Sequence, residues 1–242
     1  MKLSSDVLFS IAGFPVTNTV VTTLITDVVI VALVLVVGKA VSLRPKGTQN
    51  AVEAVVGYFR EITESIAGEE RASYIYPWVV SFFLFIVISN LLAQFPGFES
   101  IKFHTLASGS RGVPLFRAAT SDLNLTLALA VVSVTATHCL SIRYTSLKSY
   151  IARFITFKLF PAFLFLGILE FTNEFAKFVS FSFRLFGNIY AGEKVMATMY
   201  NLCPFGLPVP FIALELMVAV VQAMVFALLT MTFMHIMTDK SH

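Results

Sequence analysis

Long apolar stretches are the sequence feature that most restricts the fold of this chain. A helix needs about 20 mostly apolar residues to cross roughly 30 Å of hydrocarbon, and five stretches reach that length: 20–41, 75–95, 122–142, 160–200 and 211–237. Charged residues make up only 13% of the 242 positions, well below the roughly 25% of a soluble domain. We therefore predict an all-α integral membrane protein that forms a single membrane domain over residues 1–242.

Residues 48–67, between the first two stretches, follow a different pattern. Apolar side chains recur there at helical spacing, and charged side chains take the other side: Val52, Val55, Val56, Phe59, Ile62 and Ile66 against Glu53, Arg60, Glu61 and Glu64. This pattern predicts an amphipathic helix that lies in the membrane interface and ends at Gly68. A surface helix of a soluble hairpin is the alternative, but it leaves too little chain to bury the apolar side.

Basic residues in the connecting loops predict the orientation, because cytoplasmic loops are enriched in Lys and Arg. They follow the first and third stretches, at Lys39, Arg44 and Lys46 and at Arg143, Lys148, Arg153 and Lys158. The loop 202–210 carries no charge. We expect the N-terminus outside and the C-terminus in the cytoplasm, although Lys102, Arg111 and Arg117 in the longer outer loop oppose this assignment. Such scattered basic residues do not form a nucleic-acid footprint.

The fourth stretch contains charged side chains where charges are costly. An Arg or Asp at the centre of a membrane helix costs about 2.5 to 3.5 kcal/mol. At about 100° per residue, Glu193 lies roughly opposite a face shared by five residues: Glu170, Glu174, Lys177, Arg184 and Asn188. One helix would therefore present a fixed cation to one neighbour and a carboxylate to another.

The length of this fourth stretch also exceeds what one crossing requires. Its 41 residues from 160 to 200 would extend roughly 60 Å as a helix, twice the hydrocarbon thickness. We therefore expect the helix to be strongly tilted or bent. Gly187 and Gly192 are the candidate points of bending or close approach.

Polar residues on two other stretches complete the constellation. Glu215 and Gln222 share one face of the fifth stretch, and a sector of the third carries Asp122, Thr126, Ser133, Thr137 and Ser141. We expect these helices to line water-accessible, proton-conducting cavities.

Simpler structural roles are open for most of these residues. Glu174 and Lys177 are spaced for an ion pair, Asp122 for a helix N-cap, and the Ser and Thr stripe for helix packing. Glu215 and Gln222 are placed to be interhelical hydrogen-bond partners. Arg184 differs, because arginine stays protonated and an unpaired guanidinium in apolar surroundings is expensive.

The segment Phe181-Ser182-Phe183-Arg184-Leu185-Phe186-Gly187-Asn188-Ile189-Tyr190-Ala191-Gly192-Glu193 resembles the signature helix of the F-type ATP synthase a subunit, particularly its bacterial form. The resemblance covers most of the chain from Gln49 onward. It includes Ser121-Asp122-Leu123-Asn124, Glu170 and Gln222. Mitochondrial members usually carry Ala before the Asn and His at the Glu193 position, and many bacterial members have His where Glu215 stands.

The resemblance implies that Arg184 faces a rotating ring of small hairpin subunits, the c-ring, each with a carboxylate embedded in lipid. Arg184 would release ions from these carboxylates and block leakage between two aqueous half-channels. The residues it implies for ion translocation are Arg184, Gln222, Glu193, Glu215, Asp122, Asn124, Asn188 and Glu170. Of these, Glu193, Glu215, Asp122 and Asn124 would line the half-channels, and Gln222 would face Arg184. Peripheral-stalk b subunits, the F1 sector and a bacterial inner membrane are the further partners and setting that it implies.

Other classes of membrane protein lack support in the sequence. A stand-alone ion-coupled secondary transporter, the main alternative, commonly shows paired repeats with broken helices, and no such duplication is evident. An intramembrane hydrolase would carry a motif such as H-E-x-x-H or G-x-S-x-G, and neither occurs. Without a G-x-x-x-x-G-K-[ST] loop, any ATP chemistry belongs to a partner. We therefore expect a subunit that is not an enzyme by itself and uses no cofactor or metal.

Overall fold

A computed structural model describes residues 6–11, 13–39, 41, 47–95, 98, 101–103, 112–145, 162–204 and 206–239. Those residues are mostly helical, and the all-α fold class is confirmed. The helices are α1 (Asn18–Lys39), α2 (Thr48–Ala67), α3 (Glu69–Ala93), α4 (Leu123–Thr145), α5 (Ala162–Leu202) and α6 (Pro208–Thr238).

The helix bounds follow the apolar stretches but extend beyond several of them. Helix α2 begins and ends where its amphipathic pattern does, and Gly68 follows with a φ of +78°, a value that glycine adopts without a Cβ penalty. Helix α3 starts directly after that glycine, six residues before its apolar stretch. Its first turn carries Glu69 and Glu70. Hydropathy marks the part of a helix suited to lipid, whereas backbone hydrogen bonds continue into the polar flank.

Four of the described helices, α1, α3, α4 and α6, have the length and apolar composition to cross a membrane. Helix α3 packs against α2 and α6, and helix α4 packs against α5 and α6. In the core, the ring centroids of Phe59 and Phe83 lie 4.8 Å apart and those of Phe82 and Phe226 lie 5.5 Å apart. Aromatic pairs at such distances stabilise helix contacts beyond the area they bury.

Helix α2 lies along the bundle with its apolar side inward. Phe59 is fully buried, and Thr63 Oγ1 donates a hydrogen bond to Met231 Sδ on α6 at 3.3 Å. On its exposed side, Arg60 Nε and Glu64 Oε1 lie 2.7 Å apart. The hydrogen bond to Glu64 raises the pKa of Arg60 above its ordinary value. The position of α2 in the membrane interface stays a prediction.

Two short hairpins were not expected from the sequence. Strand β1 (Val7–Ile11) pairs with β2 (Phe14–Thr17), and β3 (Lys102–Phe103) pairs with β4 (Val113–Pro114), both antiparallel. Strands of two to five residues are too short to give a clear alternation of apolar and polar residues. After β4, a 3-10 turn at Ala119–Ser121 leads into α4.

Candidate functional site

Helix α5 carries most of the residues of the candidate site. It is one α-helix of 41 residues, so it extends about 60 Å, and it continues through Gly187 without interruption. Around Arg184, the side chains turned into the bundle are Phe181, Ser182, Leu185, Phe186 and Ile189. Arg184 itself is exposed. The arginine therefore lies on the side of α5 that turns away from the rest of the bundle.

A groove of about 740 Å³ runs along this outward side. Its lining includes Lys177, Ser180 and Arg184 from α5 and Leu229, Phe233 and Ile236 from α6. The Nη2 of Arg184 donates a hydrogen bond to Ser180 Oγ at 3.2 Å. Within the described part of the chain, no salt bridge involves Arg184 and no carboxylate lines the groove. The guanidinium is therefore open to a partner from outside.

Gln222 was expected to face Arg184, and the structure gives it a different partner. Nδ2 of Asn188 donates a hydrogen bond to Oε1 of Gln222 at 2.6 Å. Asn188 lies one helical turn beyond Arg184, and Gln222 is buried on α6. Gln222 therefore ties α6 to α5 through Asn188, and its interhelical hydrogen bond is confirmed. That Gln222 also faces Arg184 stays a prediction.

Toward the end of α5, three charged side chains form what we call the Glu193 cluster, which consists of Arg117, Glu193 and Glu215. An Arg117 Nη2 lies 3.4 Å from Glu193 Oε2, and both side chains are almost fully buried. Glu215 on α6 is also buried, and its carboxylate occupies the space that a Cβ on Gly192 would need. The close approach expected at Gly192 is therefore present. A cavity of about 300 Å³ borders Asn188, Gly192 and Glu215.

In the opposite direction along α5 lies a second group, the Glu174 cluster, formed by His138, Glu174 and Lys177. Lys177 Nζ donates a hydrogen bond to Glu174 Oε1 at 2.7 Å, and His138 Nε2 lies 3.5 Å from Glu174 Oε2. Lys177 Nζ also lies 4.7 Å from the centre of the Phe233 ring. The ion pair expected at this spacing is confirmed, and His138 on α4 extends it. The Glu170 side chain lies outside the described residues.

Arg184 lies roughly midway between the two clusters. It is nine residues from Glu193 and ten from Glu174, and each distance corresponds to about 13–15 Å along the helix axis. The three positions follow from one continuous helix. A fixed cation is thus flanked on both sides by ionisable groups that bridge α5 to its neighbours.

Asp122 acts as the N-cap of α4. Its Oδ1 accepts a hydrogen bond from the Asn124 N–H at 2.9 Å, which satisfies one of the free donors in the first turn. Its Oδ2 accepts one from Thr19 Oγ1 on α1 at 2.8 Å. The capping alternative is confirmed, and Asp122 also links two helices. The side chain of Asn124 is exposed.

The Ser and Thr stripe on α4 lies inside the helical bundle. Thr126, Ser133, Thr137 and Ser141 are all buried. Ser133 Oγ and Thr230 Oγ1 lie 2.9 Å apart, and Ser141 Oγ donates to the Met237 carbonyl at 2.7 Å. The packing alternative is confirmed for Ser133 and Ser141, whereas Thr126 and Thr137 donate to the Leu123 and Ser133 carbonyls of α4 itself. A water-accessible cavity along this stripe stays a prediction.

Two residues of the site were not singled out from the sequence. Arg117 was counted only as a loop charge, and nothing in a loop sequence indicates that a side chain is buried. His138 gave a usable signal, because it is one of the two histidines within the apolar stretches, His138 and His235, where ionisable residues mark functional positions.

Comparison with known proteins agrees with the architecture. A family model described as "ATP synthase A chain" matches residues 20–235. The chain is 32% identical over 228 residues to the "ATP synthase subunit a" of Moorella thermoacetica, and the match covers 93% of both chains.

Proposed function

Because this chain belongs to the ATP synthase A chain family, we propose that Arg184 and the two flanking clusters form its ion path. Family membership makes the chain a membrane-embedded, multi-pass, non-catalytic subunit of the F-type ATP synthase. It takes part in proton translocation in the F0 sector, together with the c-ring and other subunits. The alternative of a stand-alone transporter has no finding in its favour.

The observation that carries the proposal is the outward position of Arg184. The guanidinium lies in an open groove beside Ser180, without a salt bridge among the described residues. A permanent cation in apolar surroundings requires a counter-charge. A ring carboxylate that passes along the groove supplies that charge. Arg184 favours the ionised form of this carboxylate, so each ring site must give up its proton before it passes.

The two clusters correspond to the two half-channels. In the path through the Glu193 cluster, Glu193 and Glu215 line the route with Asn188 and the adjoining cavity. We place Asp122 and Asn124 at this end, where Asp122 also caps α4. In the path through the Glu174 cluster, the described groups are His138, Glu174 and Lys177, and Glu170 lies one turn further along α5. Gln222 supports the position of Asn188.

The offset between the paths provides the rotational bias. A proton that enters through one cluster reaches a ring site on one side of Arg184, and it leaves through the other cluster after that site has moved around the ring. One elementary charge that falls through 100 mV releases about 2.3 kcal/mol. Because Arg184 separates the two paths, protons do not bypass the ring, and the energy is available for rotation.

We further propose a bacterial inner membrane as the setting, with the N-terminus outside, the C-terminus in the cytoplasm, and peripheral-stalk b subunits as additional partners. The support for this orientation is the uncharged loop 202–210 and the basic residues after the first and third apolar stretches. Five of those basic residues, Arg44, Lys46, Lys148, Arg153 and Lys158, lie outside the described residues. On this orientation, the Glu193 cluster belongs to the outer half of the membrane.

The test is replacement of Arg184 in the complete complex reconstituted into vesicles. We expect Arg184→Ala to abolish ATP synthesis driven by a proton gradient while protons still leak passively through the membrane sector. Arg60→Ala is the matched control, because Arg60 lies exposed on α2, away from the groove. Normal coupled synthesis by Arg184→Ala would refute the assignment.

A further inference from the structure

The residues between β4 and α4 fold into the helical bundle. Arg117, Ala118, Ala119, Thr120 and Ser121 are all buried. The 3-10 turn formed by the last three contacts α1, α3, α4 and α5. We call residues 112–121 the connecting segment. Its residues 117–121 are an internal part of the bundle and not a surface loop.

Hydrogen bonds hold the connecting segment in place on both sides of Arg117. The Arg117 N–H donates to Thr22 Oγ1 on α1 at 3.3 Å, and Thr120 Oγ1 donates to Asn90 Oδ1 on α3 at 2.6 Å. Nδ2 of Asn18 donates to the Pro114 carbonyl at 3.4 Å. The backbone that carries Arg117 is therefore fixed by the helices around it, which limits where the guanidinium can lie.

The ion pair between Arg117 and Glu193 differs from the other Arg–Glu pair described. Only 6% and 10% of the two side chains are exposed, whereas Arg60 and Glu64 are 60% and 36% exposed. Exposed pairs contribute little because water and salt screen them. In a buried pair, loss of either charge removes a counter-charge that water cannot replace. A proton bound to Glu193 would therefore remove the negative charge beside the buried Arg117 guanidinium. The pair strongly favours the charged form of the Glu193 carboxylate.

We propose that Arg117 is a positioning residue that keeps Glu193 ionised and oriented, so that Glu193 serves the ion path as a fixed anion. This inference rests on the proposed function of the Glu193 cluster. Glu215, the carboxylate that borders the cavity of about 300 Å³, is then the residue that binds and releases protons at this end. Further charged residues on the elements around Glu193 include Lys194, which follows it directly on α5, and Asp122 at the start of α4. Arg184, Lys177 and Glu174 on α5 and Arg143 on α4 lie further along their helices.

The experiment compares variants of the pair in the complete complex in vesicles. ATP-driven proton pumping is measured across a pH series for Arg117→Gln, Arg117→Lys, Glu193→Gln and the double variant R117Q/E193Q. Arg60→Gln is the matched control, since it removes an arginine from the exposed Arg–Glu pair. The amount of this subunit in the assembled complex is measured for each variant.

We expect the pH–rate profile of Arg117→Gln to shift by about 1–3 pH units, the usual effect of removing a close opposite charge. Arg117→Lys keeps a cation and restores the profile of the unmodified complex. The double variant pumps no more slowly than Glu193→Gln alone, because Arg117 acts through Glu193. If Arg117→Gln fails to assemble, assembly of the double variant supports the inference. The double variant no longer buries the Glu193 charge that Arg117 neutralised.

Three results would overturn the inference. The first is a pH–rate profile of Arg117→Gln that coincides with that of Arg60→Gln. The second is a double variant in which the two effects add. The third is equal failure of the single and double variants to assemble. The proposed function is tested separately: if Arg184→Ala uncouples as expected while Arg117→Gln matches the control, only the role of Arg117 is refuted.

Discussion

The Nδ2 of Asn188 and the Oε1 of Gln222 are joined by a hydrogen bond of 2.6 Å that links α5 to α6 one turn beyond Arg184. Gln222 is almost fully buried, whereas Asn188 is exposed on the side of α5 that carries Arg184. A buried amide reaches its partner only when the two helices keep one register. The bond therefore fixes the position of Arg184 relative to α6, which forms the other wall of the groove.

Removal of one partner of this bond should cost stability and transport. We expect Gln222→Leu to lower the free energy of unfolding by about 0.5–1.5 kcal/mol, since the hydrogen bond to the exposed Asn188 amide is lost. The rate of proton pumping should also fall in this variant. Thermal unfolding of the detergent-solubilised complex measures the first effect. In the double variant N188L/Q222L stability should largely return while pumping stays low, and a double variant with normal pumping would separate this bond from the ion path.

The contact between Gly192 and Glu215 predicts a steric effect. A Cβ at position 192 would collide with the Glu215 carboxylate, so Gly192→Ala should displace that carboxylate and slow proton pumping. The shorter side chain of Glu215→Asp should restore part of the rate in the double variant G192A/E215D. Gly57→Ala is the matched control, because a Cβ at that helical glycine meets nothing within 4 Å. Equal rates for the two alanine variants would contradict the contact.

The hydroxyl pair of Ser133 and Thr230 predicts a change in stability without a change in transport mechanism. Ser133→Ala leaves the buried Thr230 hydroxyl without its partner at 2.9 Å, which should cost about 1–3 kcal/mol. The double variant S133A/T230V removes both hydroxyls and should be closer to the original stability. Thermal unfolding and proton pumping are measured together. Loss of proton pumping in a stable double variant would show that the Ser and Thr stripe on α4 takes part in the ion path.

The adjacent residues Tyr58 and Phe59 provide a matched test of how α2 is held. Phe59 is fully buried and contacts the Phe83 ring on α3, whereas Tyr58 is 46% exposed. Phe59→Ala should destabilise the subunit by about 3–5 kcal/mol, the usual cost of emptying a buried aromatic site. Tyr58→Ala should cost much less. Similar melting temperatures for the two variants would show that α2 is not anchored through Phe59.

The local pattern of apolar and polar residues was sufficient to predict much of the fold. The amphipathic helix at Thr48–Ala67 follows from a repeat of apolar residues within one segment, and its end follows from Gly68. The ion pair of Glu174 and Lys177 follows from a spacing of three residues on one helix. The N-cap at Asp122 involves a backbone N–H only two residues away. Each of these depends on neighbours along the chain, so periodicity and spacing are enough to predict it.

The pairing of residues far apart in the chain required the tertiary structure. Arg117 and Glu193 are 76 residues apart, and Asn188 and Gln222 are 34 apart. Helical spacing correctly put Asn188 and Arg184 on one face, but it could not show which of them Gln222 reaches. It also could not show that the Ser133 and Ser141 hydroxyls of α4 meet partners on α6.

The sequence by itself determined that this chain is a helical membrane protein with a permanent cation inside an apolar helix, because hydropathy and helical period are local properties of the residues. Only the tertiary structure decided that Arg184 lies in an open groove, that Glu193 has a buried arginine beside it, and that Gly192 makes room for Glu215. These outcomes depend on how separate helices pack and on which buried charges and hydrogen-bonding groups they bring within reach of one another.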